Sequence, residues 1–367
     1  MMLRAMTSTV PPLRVAVAGL GFGRKVIVPA LRATASTTVT ALWHPDPPKV
    51  TAAAQGEEVQ GFSDFSALLE DDRVDGVVIA TPPMVRAELA RQAMAAGKPV
   101  LLEKPVALSA AEARQLRIQA LQGELICGVD FEYRAVPLFQ QLADLVQQGG
   151  IGQPWLVKLD WLMSSRADPG RPWSWYARRD QGGGVVGALG VHAFDLLTWL
   201  FGPVASVQAR LSTAVTSRPD PTSGWLRNCD AEDVALIQLT FARGGVAQVS
   251  LSSVARHGRG MWLEIYGSDG QVVLGSSNQK DYVHGFTMQV ARRGGSLEPQ
   301  MEESAYGFAR TWSDGRVAPV ARLLDWWATA VGEGRPMIPG LAEGLASQMV
   351  ADAVRKASEA GMAVEMT

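Results

Sequence analysis

Short apolar runs separated by helix-like segments fill the first third of the chain, and this alternation constrains the fold most. Strands are predicted at 13–18, 38–43, 75–80, 100–102 and 124–129. Helices are predicted between them at 25–33, 85–96 and 109–121. Strands that alternate with helices predict a doubly wound parallel sheet. Because the runs are apolar on both faces, the sheet is expected to be covered on both sides.

The pattern changes after residue 135. A helix is predicted at 137–148, and longer strands with partial alternation follow at 154–163, 204–216, 233–241, 246–254, 261–267 and 271–274. Hairpin signals lie at 243–245 and 267–270. The stretch 279–314 is polar and is predicted to be irregular, and two closing helices are predicted at 317–332 and 341–361. This half predicts an α+β domain with a large, mostly antiparallel sheet.

Composition excludes several classes of protein. The 367 residues favour two domains, and the net charge of -2 gives no basic excess for nucleic acid or an anionic membrane surface. No apolar run approaches the roughly 20 residues that span a bilayer. The two cysteines and four scattered histidines predict neither a disulfide framework nor a metal site. We expect a cytoplasmic protein whose partner is a small molecule.

A glycine loop follows the first strand and opens a helix. In a dinucleotide-binding turn, the first glycine allows the tight turn, and the second lets backbone amides approach a pyrophosphate. The third glycine here is Gly23, and Arg24 takes the usual last position, which predicts looser packing of helix on strand. Arg24 either reaches phosphate or is solvated. The candidate cofactor contacts in this loop are Gly19, Gly21, Phe22, Gly23 and Arg24.

The end of the second strand lacks the acidic residue that holds the adenine ribose of NAD. His44 stands there, and Asp46 comes two residues later. Loss of the acid removes repulsion against a 2′-phosphate, and Lys49 is near. The sequence therefore allows NAD or NADP and slightly favours NADP. His44 either stacks on adenine or points into solvent.

The apolar run at 99–102 ends on the charged pair Glu103-Lys104, followed by Pro105. Ligands of open α/β sheets bind beyond the carboxyl ends of the strands. This spacing puts an ammonium group at the mouth of a cofactor crevice. Thr81 and Pro82 end another strand and are expected beside it.

With these motifs the chain resembles the Gfo/Idh/MocA family, the relatives of glucose–fructose oxidoreductase and inositol dehydrogenase. The matching motifs are the glycine loop, Ala80-Thr81-Pro82, Glu103-Lys104-Pro105 and the segments 97–100, 150–152, 182–192 and 334–336. The resemblance implies an NAD(P)-binding Rossmann domain at 13–131 after a disordered lead-in at 1–12. It also implies an open-faced sheet in a substrate and oligomerisation domain at 132–367, whose C-terminal helices can pack back on the first domain. Homodimers or homotetramers through the open sheet face are expected.

The family match also makes Lys104 and His192 the candidate catalytic pair. An ammonium group favours a developing alkoxide, and a neutral imidazole can accept the hydroxyl proton. The family commonly has an aspartate four residues before this histidine, but Ala188 stands there. Either His192 carries the proton alone, oriented by Asp195 on the same helix face, or the chemistry has shifted or been lost.

Several residues are candidates for the substrate pocket. Arg134 follows the last strand of the first domain and either holds a ligand or forms a salt bridge at the domain interface. The segment 171–180 is rich in aromatic and basic groups and is either a pocket wall or an interface loop. The candidate substrate contacts are Arg134, Trp173, Trp175, Tyr176 and Asp195.

The leading hypothesis is an NAD(P)-dependent dehydrogenase or reductase acting on a CH–OH group of a sugar, sugar derivative or polyol. Two alternatives remain open. One is an NAD-dependent glycoside hydrolase on the same scaffold. The other is a non-catalytic regulatory protein that binds a dinucleotide.

Overall fold

The computed structural model describes residues 11–278 and 285–366. Most of the predicted lead-in, residues 1–10, lies outside the described residues. The first domain contains the strands β1 (Leu13–Ala18), β2 (Thr37–Trp43), β3 (Gln60–Phe62), β4 (Gly76–Ile79), β5 (Val100–Leu102) and β6 (Cys127–Val129). Its helices are α1 (Val28–Ala33), α2 (Pro47–Glu57), α3 (Phe65–Glu70), α4 (Pro83–Ala95) and α5 (Ala110–Gln122).

These strands form one parallel sheet in the order β3-β2-β1-β4-β5-β6. The order reverses direction after β1, where β4 pairs on its other side, and such a switch point opens a crevice at the carboxyl ends of the strands. The predicted doubly wound parallel sheet is confirmed. A wide helical turn at Gly23–Ile27 precedes α1, so the predicted helix at 25–33 begins two residues earlier.

The three elements between β2 and β4, which are α2, β3 and α3, were not predicted from sequence. Asp46 caps α2 by accepting the Lys49 amide, and Asp64 caps α3 by accepting the Ser66 amide. β3 is a three-residue edge strand whose side chains are not buried. Such a strand carries little hydrophobic pattern, so its existence depends on pairing with β2.

The second domain has helices α6 (Pro137–Gln147), α7 (Val191–Phe201), α8 (Val317–Glu333) and α9 (Leu341–Ala360). Its strands are β7 (Pro154–Leu162), β8 (Val204–Ser212), β9 (Ser217–Pro219), β10 (Leu226–Asn228), β11 (Val234–Phe241), β12 (Val246–Ser252), β13 (Gly260–Gly267), β14 (Gly270–Ser276), β15 (Thr287–Arg292), β16 (Glu298–Gln300) and β17 (Val364–Glu365). The prediction that 279–314 is irregular is wrong for β15 and β16, which extend the sheet edge beyond β14.

Nine of these strands form one sheet in the order β16-β15-β14-β13-β7-β12-β11-β8-β17. All neighbours are antiparallel except β7 and β12, which run parallel, so the predicted, mostly antiparallel sheet is confirmed. Strand β11 alternates buried and solvent-facing residues, as expected for a sheet with one covered face. Residues of α6, α7 and α9 share a hydrophobic core with the covered face.

The helical stretch Arg179–Phe201 is long and apolar enough to span a membrane, but 78% of its most apolar window is buried inside the protein. This burial identifies it as a core helix of the second domain. Its central part, Val186–Gly190, is a widened turn that leads into α7. Widened turns of this kind often occur at functional sites.

The last two long helices connect the domains. Helix α8 packs on α1 and on the turn at Glu132–Ala135, and α9 packs on α5 and α7. Trp327 of α8 is fully buried in a core shared with β1 and α1. The C-terminal helices thus pack on both halves of the molecule.

Candidate active site

A cavity of about 960 Å³ opens at the carboxyl ends of the parallel strands. The first domain contributes the glycine loop and the ends of β2, β4 and β5. The second domain contributes a wall that includes Trp161, Trp175, Ala188 and His192. The predicted catalytic pair and all predicted cofactor residues except Gly23 and Arg24 therefore line one space.

The three glycines of the loop have different local roles. Gly19 has a φ of +110°, and a Cβ there would lie 2.6 Å from the Ala80 carbonyl oxygen, so only glycine fits. A Cβ on Gly21 would meet open space. A Cβ on Gly23 would lie 2.9 Å from Cγ1 of Val17. The expectation of looser packing is therefore wrong, because Gly23 itself provides the close contact between helix and strand.

The glycine loop fits a pyrophosphate. The cavity lining includes Gly19, Gly21 and Phe22, and the backbone enters a helical turn at Gly23. The positive end of a helix beside an unobstructed glycine is a favourable anion site. Arg24 does not line this cavity, because its guanidinium is 2.8 Å from Glu57, a carboxylate it shares with Arg32.

His44 lines the cavity at the end of β2. Its Nδ1 accepts the Asp46 amide at 3.1 Å, which leaves Nε2 as the protonated nitrogen of the neutral ring. Asp46 caps α2 and pairs with Lys49 at 2.9 Å. The Asp46 carboxylate thus stabilises the start of α2, the helix that it caps.

Thr81 and Pro82 line the cavity at the end of β4. Arg86, a buried residue that sequence reasoning missed, connects this strand end to the end of β5. Arg86 donates to the Pro105 carbonyl oxygen at 2.5 Å and also to the Thr81 carbonyl oxygen. Burial lowers the pKa of Arg86 to about 10. This guanidinium fixes two strand ends whose side chains face the cavity.

Lys104 reaches across the cavity to the second domain. Its ammonium nitrogen donates to the Ala188 carbonyl oxygen at 3.0 Å. Its own backbone amide donates to the Glu103 carboxylate at 3.1 Å, and the Lys104–Pro105 peptide is cis. The side chain is therefore directed at the widened turn that precedes His192.

His192 lies in the same wall, and its nearest carboxylate is Glu132. The imidazole Nε2 is 3.5 Å from Oε2 of Glu132, and the side chains are 3% and 7% exposed. Burial and the Lys104 ammonium hold the pKa of His192 well below its usual range, so the ring is neutral at pH 7. Burial raises the pKa of Glu132 to about 7, although Lys104 opposes the shift.

The structure contradicts the expectation that Asp195 orients His192 or contacts substrate. Both Asp195 oxygens accept from Arg134, at 2.7 and 2.8 Å, and neither side chain lines the cavity. Arg134 thus forms a buried salt bridge, but this bridge lies within the second domain and not at the predicted domain interface. Burial raises the pKa of Asp195 to about 6 despite the guanidinium.

Of the three aromatic residues predicted to contact substrate, Trp175 lines the cavity. Trp173 and Tyr176 do not line it, because each is covered by an arginine: Arg227 lies 3.6 Å from the Trp173 ring and Arg166 lies 3.7 Å from the Tyr176 ring. These contacts make that segment a packed wall behind the cavity.

Sequence reasoning missed several lining residues. They include Trp161, Glu132, Arg86 and Arg316. Glu132 follows strand β6, so the rule that ligands bind beyond strand ends could have found it. Arg316 precedes α8, and its guanidinium lies 5.3 Å from the Phe22 ring. Nearly three hundred residues separate Phe22 and Arg316 in the chain, and no local sequence pattern predicts their contact.

Fold and site together define a two-domain, NAD-binding oxidoreductase. A family model for the NAD-binding Rossmann fold of an oxidoreductase family matches residues 13–131, and the model for the C-terminal α/β domain of the same family matches residues 143–366. The chain belongs to this family, Gfo/Idh/MocA.

Two curated relatives match most of the chain. An uncharacterized oxidoreductase of Synechocystis sp. is 44% identical over 351 residues, which cover 95% of each chain. Levoglucosan dehydrogenase of Pseudarthrobacter phenanthrenivorans is 27% identical over 332 residues, covering 82% of this chain and 83% of the relative. A solved levoglucosan dehydrogenase in complex with NADH superimposes with a TM-score of 0.88 at 23% identity, covering 97% and 99% of the two chains. That likeness shows a shared fold.

Proposed function

We propose that this protein is an NAD(P)-dependent dehydrogenase that oxidises or reduces a CH–OH carbon of a sugar, sugar derivative or polyol. The observation that carries the proposal is the convergence of Lys104, His192 and an unobstructed glycine loop on one cavity. The family membership supports the same chemistry. Among relatives, levoglucosan dehydrogenase and an inositol 2-dehydrogenase of Acidothermus cellulolyticus carry dehydrogenase names.

In this proposal each of the two residues acts on the substrate hydroxyl. A bound nicotinamide ring would supply the hydride acceptor. The Lys104 ammonium stabilises negative charge on the carbinol oxygen. The neutral imidazole of His192 takes the hydroxyl proton, which its low pKa permits at neutral pH. Aromatic faces of Trp161 and Trp175 provide apolar walls for sugar C–H surfaces.

The decisive experiment has two steps. Purified protein is titrated with NADH and NADPH, following energy transfer from tryptophan to the reduced nicotinamide. Turnover is then measured with levoglucosan, myo-inositol and D-apiose and the matching oxidised cofactor. Saturable binding and cofactor reduction with one substrate support the proposal, and Lys104→Ala should lower kcat at least 100-fold.

The same experiment separates the alternatives. Glycoside cleavage without net change in NADH would favour the hydrolase alternative. Binding without turnover, and a cellular function that survives Lys104→Ala, would favour a regulatory protein. If folded protein binds neither cofactor, the dehydrogenase, hydrolase and regulatory hypotheses are all contradicted.

On the choice of cofactor, we propose that NADPH binds at least as tightly as NADH. His44 occupies the position of the usual acid, and Asp46 is directed to its own helix cap. Lys49 and Asp46 form an exposed pair, 66% and 37% exposed, that contributes little on its own. Lys49 can therefore exchange Asp46 for a 2′-phosphate at small cost.

We also propose that the open face of the nine-stranded sheet is a self-association surface. Leu236, Val246 and Leu156 lie there and are 54%, 46% and 38% exposed. Light scattering after size exclusion should give a dimer or tetramer, and Leu236→Asp should yield monomers that still bind cofactor. A wild-type monomer at micromolar concentration would contradict this proposal.

A further inference from the structure

Glu132 is a buried carboxylate in the cavity wall with no role assigned so far. It begins the short helical turn Glu132–Ala135 that follows β6, and its side chain lines the cavity. Its Oε2 atom has no hydrogen-bond partner, and neither has Nδ1 of His192. A buried polar atom without a partner costs free energy, so each such atom needs an explanation.

The arrangement around His192 leaves Glu132 as the carboxylate in position to act on it. The Nε2–Oε2 distance of 3.5 Å is slightly longer than a hydrogen bond, and such contacts often tighten when a substrate binds. Phe131 and Tyr133, on either side of Glu132, pack edge-to-face on the imidazole. The segment that carries the carboxylate thus also fixes the ring.

The other nearby acids are occupied or neutral. Asp195 is held by Arg134. Asp130 is fully buried beside Glu103, and this burial raises its pKa well above the usual range, so it stays protonated. The positive charges of Lys104 and Arg316 and the negative charge of Glu103 act on Glu132, and the charge of Lys104 also acts on His192. The two cations favour the ionised form of Glu132 against the cost of burial.

We propose that Glu132 is the positioning residue of His192 and takes the part of the carboxylate that the family commonly has at the position of Ala188. This inference rests on the proposed dehydrogenase function. Nδ1 of His192 is buried away from the cavity, and Nε2 is the ring nitrogen beside Glu132. Nε2 therefore accepts the substrate hydroxyl proton, while the Glu132 carboxylate holds the ring in place and receives that proton in turn.

The proposed oxidation removes one hydride and one proton from the carbinol. During oxidation the carbinol C–H bond breaks, and the hydrogen leaves with both electrons to the nicotinamide. The hydroxyl proton moves to Nε2 of His192 as the carbonyl forms. Nε2 then passes this proton to Oε2 of Glu132, 3.5 Å away, so the imidazole ends neutral and Glu132 ends as a carboxylic acid. In the reductive direction the same proton returns.

The first test needs no substrate. The chain has four histidines, so ¹⁵N-histidine labelling gives few signals, and a His192→Asn spectrum identifies His192. In the wild-type protein the His192 ring nitrogens should shift with an inflection near pH 7 while the ring stays neutral, because Glu132 titrates beside it. In Glu132→Gln the inflection should disappear.

Glu232→Gln is the matched control, because Glu232 is equally buried but lies outside the cavity and accepts the Val186 amide. It should keep the inflection. An inflection that is absent from the wild type, or that persists in Glu132→Gln, would overturn the proposal. This outcome does not depend on whether any sugar is turned over, so it is distinguishable from failure of the proposed function.

The second test uses the substrate found by the turnover screen. Glu132→Gln should lower kcat for oxidation at pH 8 about 30- to 100-fold, abolish the acid limb of the kcat/KM profile near pH 7 and leave NADH affinity within threefold. Glu132→Asp should restore part of the rate. An unchanged acid limb in Glu132→Gln would refute the role.

Discussion

At the scale of single residues, we propose that His44 is the side chain that decides between the two nicotinamide cofactors. A carboxylate at this position would accept both ribose hydroxyls of NADH and repel a 2′-phosphate. We predict that His44→Asp weakens NADPH binding at least tenfold and strengthens NADH binding. The parallel fluorescence titration checks this, with His44→Asn as the uncharged control. Equal losses for both cofactors in His44→Asp would show that the position does not contact the ribose.

Glu132 has a consequence for stability as well as for catalysis. Its pKa rises from 4.5 to about 7 on folding, so the folded state holds this proton more tightly than the unfolded state does. Its contribution to stability is therefore greatest below about pH 4.5 and is lost as pH rises to about 7. Glutamine does not ionise, so the Glu132→Gln variant does not lose this stability as pH rises.

We predict that Glu132→Gln becomes more stable relative to wild type by about 2–4 kcal/mol between pH 5 and pH 8. Urea unfolding at both pH values measures this difference. Glu70→Gln, an exposed change on α3, should follow the wild type at both. A difference that shrinks with rising pH would mean that the Glu132 carboxylate is stabilised by its cations more than it is penalised by burial.

At the scale of elements, two glycines of the glycine loop have different roles: Gly21 affects cofactor binding and Gly23 affects the stability of the fold. Gly21 faces open space and Gly23 faces Val17. We predict that Gly21→Ala weakens NADH binding at least tenfold with little change in stability, because its methyl group enters the cofactor site. Gly23→Ala should instead lower the free energy of unfolding by about 1–3 kcal/mol through overpacking. Fluorescence titration and urea unfolding distinguish the two, and equal effects of both changes would contradict the assignment.

The elements show what a sequence can and cannot predict here. Long patterns, such as the partly alternating run at 233–241 that forms β11, and motifs with local geometry, such as the Gly19 turn, could be predicted. The edge strand β3 could not, because three unburied residues carry no pattern. Lys104 and His192 followed from family motifs. The strand-end rule could have placed Glu132 at the cavity, but its contact with His192, sixty residues later in the chain, could not be predicted.

At the scale of the whole molecule, helix α8 comes from the end of the chain but packs into the core of the first domain. Trp327 is fully buried, and its indole nitrogen donates to the Ile126 carbonyl oxygen at 3.4 Å. A Cβ on Gly76 of β4 would lie 3.0 Å from the same ring. The Rossmann sheet is thus covered on this side by a helix that comes from the end of the chain.

We predict that Trp327→Ala lowers the free energy of unfolding by about 3–5 kcal/mol, as expected when a large buried ring is removed. The whole molecule should still unfold in one transition, because α9 packs on α5 of the first domain and on α7 and β8 of the second. Circular dichroism and NADH binding followed through the same urea series measure this, with the exposed Trp225→Ala as control. A fragment of residues 11–131 should fail to bind NADH, since it lacks α8. Two separate transitions, or a fragment that binds NADH normally, would show that the first domain folds without its C-terminal helix.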